Sequence, residues 1–111
     1  MSEPDTLTRL AAVIASKRVA SADPSYTRTL LDAGVERCAK KFGEEAVETV
    51  IAAFGNDPAH LKAEAADTLY HLLVLLEARG IAWSDVLAVL EARAGTSGLV
   101  EKAARSKGTA P

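Results

Sequence analysis

Apolar side chains recur every three or four positions along most of the chain, the spacing that places them on one face of an α-helix. Leu7, Leu10 and Ile14 show this spacing near the N-terminus, and Leu30 and Leu31 lie on a second, shorter segment. The pattern predicts five helices, at residues 5–19, 24–33, 35–54, 58–79 and 84–93. Because only a short turn separates the third helix from the fourth, these two should pack as an antiparallel hairpin.

The predicted helix boundaries coincide with residues that favour caps and turns. An acceptor side chain before a helix satisfies free backbone N–H groups, and proline fits the first helical position because no needed donor is lost there. The predicted N-caps and first-position prolines are Asp23, Pro24, Asp57, Pro58 and Ser84. Gly34 and Gly80 are predicted to end helices, since glycine adopts the left-handed conformation readily. Gly43 lies inside the third helix, which suggests close packing or a bend there.

The apolar stripes of the third and fourth helices are predicted to form the core. On the third helix the stripe consists of Val47, Val50, Ile51 and Phe54. On the fourth it consists of Leu61, Ala65, Leu69, Leu72 and Leu76. Leu73 and Leu75 lie off the second stripe, so the hairpin carries more apolar surface than five helices of one chain are expected to cover.

Composition supports an all-α fold. The 111 residues include 22 alanines and 13 leucines against 9 valines and 3 isoleucines. Alanine and leucine favour helices and β-branched residues favour strands, so an all-β sandwich or barrel is excluded. A chain of this length buries one modest core, and residues 1–111 are interpreted as one domain. The segment from Gly95 onward is rich in small and polar residues, and its last few residues are predicted to be disordered.

Charge, hydropathy and cysteine content exclude several classes of function. The formal net charge is −2, so binding to nucleic acid through bulk charge is not expected. Apolar runs such as Leu72–Leu76 are too short to span a membrane, and the polar N-terminus does not resemble a signal peptide. Cys38 is the only cysteine and is expected to be a small buried hydrophobic residue. These features predict a cytoplasmic protein without a nucleic-acid or membrane partner.

Two acidic pairs flank the turn between the third and fourth helices. Glu45 and Glu48 are three positions apart on one helix, and Glu64 and Asp67 are three apart on the next, so each pair shares a helical face. Antiparallel packing should bring the two pairs level. Opposed carboxylates resist ionisation unless a counter-charge is present, and Mg²⁺ is a hard cation suited to oxygen ligands. The alternative interpretation is a solvated acidic face that binds no metal.

Three further polar residues lie close to the acidic pairs. His71, one turn beyond the second pair, is interpreted either as a fifth ligand or hydrogen-bonding group, or as an ordinary helix-surface or interface residue. Lys40 and Lys41 lie one turn before the first pair. They either contact phosphate or form ion pairs with Glu44 and Glu45.

The acidic motif and three other stretches resemble a known family. Glu-Glu-x-x-Glu at 44–48 followed by Glu-x-x-Asp at 64–67 resembles the metal-binding signature of the all-α nucleoside-triphosphate pyrophosphatase (MazG-like) superfamily. Within that superfamily the chain resembles the phosphoribosyl-ATP pyrophosphatase family. The stretches that indicate this are Ser-Tyr-Thr at 25–27, Tyr-His-Leu-Leu at 70–73 and Gly-Thr-Ser-Gly-x-x-Glu-Lys-Ala at 95–103.

The resemblance implies Mg²⁺-dependent hydrolysis of 1-(5-phosphoribosyl)-ATP to 1-(5-phosphoribosyl)-AMP and pyrophosphate, the second step of histidine biosynthesis. It also implies a homodimer in which two hairpins form a four-helix bundle. Carried over by position, the metal ligands are Glu45, Glu48, Glu64 and Asp67. Glu44 joins Glu45 as a catalytic residue, with a role in orienting water. The candidate substrate contacts are Ser25, Tyr26, Lys40, Lys41 and His71.

Two other hypotheses remain open on the sequence. One is a housekeeping pyrophosphatase of the same superfamily acting on dUTP, dCTP or aberrant nucleotides, because the acidic motif alone does not separate the two activities. The other is a non-enzymatic helical dimerisation module with an acidic surface, which the composition equally allows.

Overall fold

The chain is all-helical in a computed structural model, which describes residues 5–19 and 25–94 and contains no strand within them. Its helices are α1 (Thr6–Val19), α2 (Tyr26–Ala33), α3 (Val35–Ala53), α4 (Pro58–Ala78) and α5 (Trp83–Arg93). The all-α prediction is confirmed, and every predicted boundary lies within two residues of the observed one. The predicted disorder at the C-terminus concerns residues outside the described part of the chain.

The turn before α4 has the predicted cap. Asp57 Oδ1 accepts a hydrogen bond from the Ala59 backbone N–H at 3.0 Å, and Pro58 occupies the first helical position. At the other end of α4, Gly80 has a positive φ of 72° and its N–H bonds to the Glu77 carbonyl at 2.9 Å. These local signals, which need no tertiary contact, were sufficient to place both ends of the helix.

Two other predicted caps are wrong. The N-cap of α2 is Ser25, whose Oγ accepts from the Arg28 N–H at 3.0 Å, so this helix begins after Pro24; Asp23 and Pro24 lie outside the described residues. The N-cap of α5 is Ala82, and Ser84 lies inside the helix. The helix begins one residue early because Trp83 packs against the core and is held there by tertiary contact.

Helices α3 and α4 form the predicted hairpin and make the most extensive helix–helix contact of the described residues. Helix α1 packs on α4 and α2, and α5 packs against α1. The core cluster lies where the first four helices meet and consists of Ile14, Leu30, Cys38, Leu73 and Val74. Cys38 is buried as predicted, with its Sγ 3.2 Å from the Leu30 carbonyl.

The predicted core stripe of α3 is not part of this core. Val47, Val50, Ile51 and Phe54 are all more than half exposed in the single chain. Leu73, interpreted from the sequence as surplus apolar surface, is instead one of the most buried residues. The acidic side of α3, rather than its apolar side, faces α4, and this rotation determines the chemistry of the site.

Gly43 does not mark close packing or a bend. A Cβ added there would meet no atom within 4 Å, and α3 runs through this position without interruption. No helix among the described residues has the length and apolar character needed to cross a membrane.

Candidate metal centre

Three carboxylates from the two hairpin helices converge at the side of the hairpin. Glu45 on α3 and Glu64 and Asp67 on α4 each offer an oxygen atom, and these atoms all lie within 4.8 Å of one another. The convergence follows from the sequence, because each residue lies a similar number of positions from the turn of an antiparallel hairpin. Three of the four carboxylates in the predicted pairs are therefore brought together.

The fourth, Glu48, lies outside this cluster. Its side chain is exposed on α3, where it borders a shallow open concavity together with Lys41, Glu44 and Glu45. Glu48 is one helical turn from Glu45, so the two carboxylates still occupy neighbouring positions on the same helix.

The cluster is partly shielded from solvent and carries few compensating charges. The side chains of Glu45 and Glu64 are each 19% exposed. Lys41 Nζ lies 3.6 Å from Glu44 and 3.9 Å from Glu45, which confirms the ion-pair prediction for this lysine. His60 Nε2 lies 3.4 Å from Glu64 and supplies a charge only when protonated. Lys40 is exposed on α3.

The donor atoms of the cluster are suited to a hard divalent cation. All three are carboxylate oxygens, which Mg²⁺ and Ca²⁺ prefer over nitrogen or sulfur ligands. Few protein ligands and an open side leave room for water and phosphate oxygens, as Mg²⁺ commonly requires. The residues therefore fit a hard divalent cation whose remaining positions are open to water or other oxygen ligands.

His71 is buried next to the acidic cluster, so its interpretation as a helix-surface residue is wrong. Its side chain is 5% exposed, and Nδ1 has no hydrogen-bond partner in the described part of the chain. Burial lowers the pKa of His71, as does Lys41, whereas Glu45 and Asp67 act in the opposite direction. Burial outweighs the acidic neighbours, so the imidazole is favoured in its neutral form.

Two tyrosine rings enclose His71. The ring centroids of Tyr26 and His71 are 5.9 Å apart, and those of Tyr70 and His71 are 4.9 Å apart, both in edge-to-face geometry. Tyr26 and Tyr70 are stacked with centroids 6.3 Å apart. Tyr70 is fixed by a hydrogen bond between its hydroxyl and that of Thr27, and burial raises its pKa. Tyr26 remains 53% exposed, so the aromatic cluster presents one ring to solvent.

Sequence reasoning assigned Ser25, Tyr26 and His71 to the site but overlooked Tyr70. The structure places Tyr26, Tyr70 and His71 together, whereas the Ser25 hydroxyl is engaged as the cap of α2. Tyr70 follows Asp67 by three positions on α4, and this helical spacing could have indicated it.

Comparisons with known proteins bear on the same residues. A family model described as phosphoribosyl-ATP pyrophosphohydrolase matches residues 7–94, which include all the carboxylates above. The chain is 60% identical to phosphoribosyl-ATP pyrophosphatase 1 of Bradyrhizobium diazoefficiens, over 92% of this chain and 96% of that protein. It is 57% identical to phosphoribosyl-ATP pyrophosphatase of Cereibacter sphaeroides, over 89% and 96% of the two chains. The Nitrobacter hamburgensis protein of that name is 56% identical, over 92% and 95%.

Proposed function

We propose that this chain, which belongs to the phosphoribosyl-ATP pyrophosphohydrolase family, hydrolyses 1-(5-phosphoribosyl)-ATP to 1-(5-phosphoribosyl)-AMP and pyrophosphate. Water is added across the α–β phosphoanhydride, as the second step of histidine biosynthesis. The observation that supports this most directly is the convergence of Glu45, Glu64 and Asp67 within 4.8 Å. A triphosphate carries several negative charges, so an anionic site can bind it only through a shared cation.

Mg²⁺ is the cofactor we propose for this site. Glu45, Glu64 and Asp67 would hold it, and Glu48, one helical turn from Glu45, is proposed as a fourth ligand. When bound, the ion supplies charge neutralisation for the phosphates and polarises the attacking water. The carboxylates would fix the ion relative to the two helices, and through it they would position the phosphate chain.

Glu44 and the two lysines complete the polar side of the site. Glu44 is exposed next to the cluster and forms an ion pair with Lys41. We propose that Glu44 orients the attacking water. Glu45 is proposed as the second catalytic carboxylate. Lys41 lies between Glu44 and Glu45, where its charge can contact a phosphate oxygen. Lys40, exposed on the same helix, is assigned a second, weaker phosphate contact.

The aromatic cluster is proposed to bind the nucleoside part of the substrate. Tyr26 offers an exposed ring face for stacking on a base, and such contacts contribute about 1–3 kcal/mol per base. His71 packs edge-on against the rings of Tyr26 and Tyr70, and its proposed role in this substrate site is to hold Tyr26 in place. Ser25 caps the helix that carries Tyr26, so its contribution includes the orientation of that ring.

We propose further that residues 1–111 act as one catalytic domain and that two copies form a homodimer. The exposed apolar face of α3 supports this, because four large hydrophobic residues on one helix are otherwise left to solvent. Pairing of two hairpins would bury that face in a four-helix bundle. The cytoplasm is the proposed compartment, since a free buried thiol at Cys38 is suited to a reducing environment. No nucleic-acid or membrane partner is proposed.

A comparison of substrates tests the proposed activity. Pyrophosphate release is measured with phosphoribosyl-ATP, ATP, dUTP and dCTP under identical Mg²⁺ concentrations. We expect phosphoribosyl-ATP to have the highest kcat/KM. Equal or better turnover of the ordinary nucleotides would instead support the housekeeping pyrophosphatase, and no turnover of any substrate would support a non-enzymatic dimerisation module.

A further inference from the structure

Two threonine hydroxyls lie in the contact between α3 and α4, directly behind the acidic cluster. Thr49 Oγ1 and Thr68 Oγ1 are 2.7 Å apart, within hydrogen-bond distance across the two helices. Thr68 Oγ1 also lies 2.9 Å from the Glu45 carbonyl oxygen of the opposite helix. Both side chains are partly buried. The hairpin is therefore joined by directional polar contacts at a place where the neighbouring helices of most bundles present apolar side chains.

Each of these contacts involves the backbone of a proposed metal ligand or of its neighbour. Thr49 Oγ1 lies 3.0 Å from the Glu45 carbonyl, and Thr68 Oγ1 lies 3.0 Å from the Glu64 carbonyl. In the sequence, Thr49 directly follows Glu48 and Thr68 directly follows Asp67. The two threonine hydroxyls thus lie within hydrogen-bond distance of the backbone carbonyls of two of the four carboxylate residues, and the threonines are covalently adjacent to the other two.

The two hydroxyl protons can be distributed so that the helices are linked. Each hydroxyl donates one hydrogen bond and accepts up to two. When Thr49 donates to Thr68 Oγ1, Thr68 is free to donate to the Glu45 carbonyl, and two bonds then cross from one helix to the other. A threonine side chain is short, so a bond from Thr68 to the backbone of α3 requires the two helices to approach closely at this point.

Close approach and register matter because the carboxylates come from different helices. A displacement of one residue along a helix moves a side chain by about 1.5 Å and turns it by about 100°. Apolar contacts are non-directional and resist such a slip only through shape. The hydrogen bonds from Thr49 to Thr68 Oγ1 and from Thr68 to the Glu45 carbonyl impose a definite distance and angle instead.

We propose that Thr49 and Thr68 are positioning residues, whose hydroxyl bridge sets the register of α3 against α4 and thereby the spacing of Glu45, Glu64 and Asp67. This inference rests on the proposed metal centre but assigns neither threonine a contact with the metal or the substrate. Groups that orient metal ligands typically affect metal affinity or activity by about 10- to 100-fold.

The test compares valine and serine at both positions. Thr68→Val and Thr49→Val keep the branched shape and remove the hydroxyl, whereas Thr68→Ser and Thr49→Ser keep the hydroxyl. Ser16→Ala is the control, because it removes a hydroxyl-to-carbonyl bond on the exposed part of α1, away from the hairpin. For each protein, the rise in Tm caused by Mg²⁺ without substrate and the Mg²⁺ dependence of pyrophosphate release are measured.

We expect each valine variant to need roughly 10-fold more Mg²⁺ or above for half-maximal activity and for half of the rise in Tm. The serine variants and Ser16→Ala should behave as the unmodified chain does, even where their Tm without Mg²⁺ differs. Identical Mg²⁺ dependence in the valine variants and the unmodified chain would overturn the positioning role and leave the metal centre standing. Absence of any Mg²⁺ effect on the unmodified chain would overturn both. If one valine variant does not fold, the other and the two serine variants decide the outcome.

Discussion

A carboxylate that lies within 4.8 Å of two others differs, in what it can bind, from a single carboxylate surrounded by water. Glu45, Glu64 and Asp67 are of the first kind. Their mutual repulsion is a cost of folding that a bound cation reverses, since the charges that repel one another all attract the ion. Removal of one of these charges should therefore relieve part of the repulsion and weaken the binding of a cation.

Asp67→Asn should abolish catalysis without loss of fold. Removal of one ligand charge weakens cation binding, so we expect pyrophosphate release to fall by about 100-fold or more. The free energy of unfolding in the absence of metal should stay the same or rise, because repulsion is relieved. Steady-state assays and thermal melts measure the two quantities.

Asp85→Asn is the matched control, an acidic residue on α5 outside the cluster, and it should retain activity. Glu48→Gln provides the second comparison, because Glu48 is proposed as a ligand but lies outside the cluster. Near-normal activity of Asp67→Asn would refute the metal centre. Near-normal activity of Glu48→Gln alone would reduce the centre to the three clustered carboxylates.

The buried His71 should make the stability of the fold depend on pH. Its pKa is lowered in the folded chain, chiefly by burial, relative to about 6.5 in the unfolded chain. Below pH 6.5 the unfolded chain therefore binds a proton that the folded chain does not, and the free energy of unfolding falls as the pH decreases towards the lowered pKa. Above about pH 6.5 the contribution of His71 is constant.

His71→Gln, which cannot be protonated, isolates this effect. Urea unfolding at pH 7.5 and pH 5.5, without metal and at a fixed protein concentration, should show a smaller loss of stability in the variant than in the unmodified chain. His60 is present in both proteins, so the difference between them reports on His71. Equal losses in the two proteins would show that His71 is protonated as readily in the folded chain as in the unfolded one.

Among the helices, α3 has two faces that differ in composition and in what they contact. The face towards α4 carries Cys38, Glu45, Thr49 and Ala52, and so changes from apolar to polar and back along its length. The opposite side carries the apolar stripe. Helix α3 begins directly after Gly34, which joins it to α2 and whose carbonyl accepts from the Cys38 N–H at 3.1 Å.

Gly34→Ala and Gly43→Ala should change stability in opposite directions. Gly34 has φ 97° and ψ 176°, a conformation that costs a residue with a side chain about 1–3 kcal/mol. Gly43 is helical with no atom within 4 Å of an added Cβ, so alanine there should stabilise the helix by up to about 1 kcal/mol. Chemical denaturation measures both. If Gly43→Ala were also destabilising, a contact outside the single chain would be indicated at that position.

At the scale of the whole molecule, the exposed face of α3 is the feature that the single chain leaves unexplained. Phe54 is 87% exposed, and Val47, Val50 and Ile51 lie beside it on the same helix. Burial of apolar surface contributes about 25 cal/mol per Å², so a partner that covers this face gains substantially. The proposed homodimer supplies such a partner.

Ile51→Glu should separate the proposed dimer into monomers, because a charge in an apolar interface loses its hydration without gaining a partner. Light scattering after size-exclusion chromatography measures the mass directly. Val89→Glu is the control, since Val89 is a similarly exposed apolar residue on α5. A monomeric unmodified chain, or an Ile51→Glu protein with the mass of the unmodified chain, would exclude this interface.

Much of the local structure could be predicted from the sequence. The five helices of the described residues, the Asp57 cap, the end at Gly80 and the convergence of three of the four paired carboxylates depend on residues close in the chain and on one short turn. The family could also be predicted, because its motif is a spacing of side chains rather than an arrangement in space. The predicted cap at Asp23 was wrong because several acceptor residues lie close together there and Ser25 is the one that caps the helix. The predicted cap at Ser84 was wrong because a core residue, Trp83, determines where α5 begins.

The helices, the family and the placement of one acidic pair on each side of a short turn follow from the sequence alone. Which side of α3 faces α4, which three carboxylates come within 4.8 Å, and the burial of His71 depend on the tertiary structure. The physical reason is that periodicity defines a face relative to the axis of its own helix. The rotation of that face against a neighbour depends on contacts such as Thr68 with the Glu45 carbonyl, between residues distant in the chain.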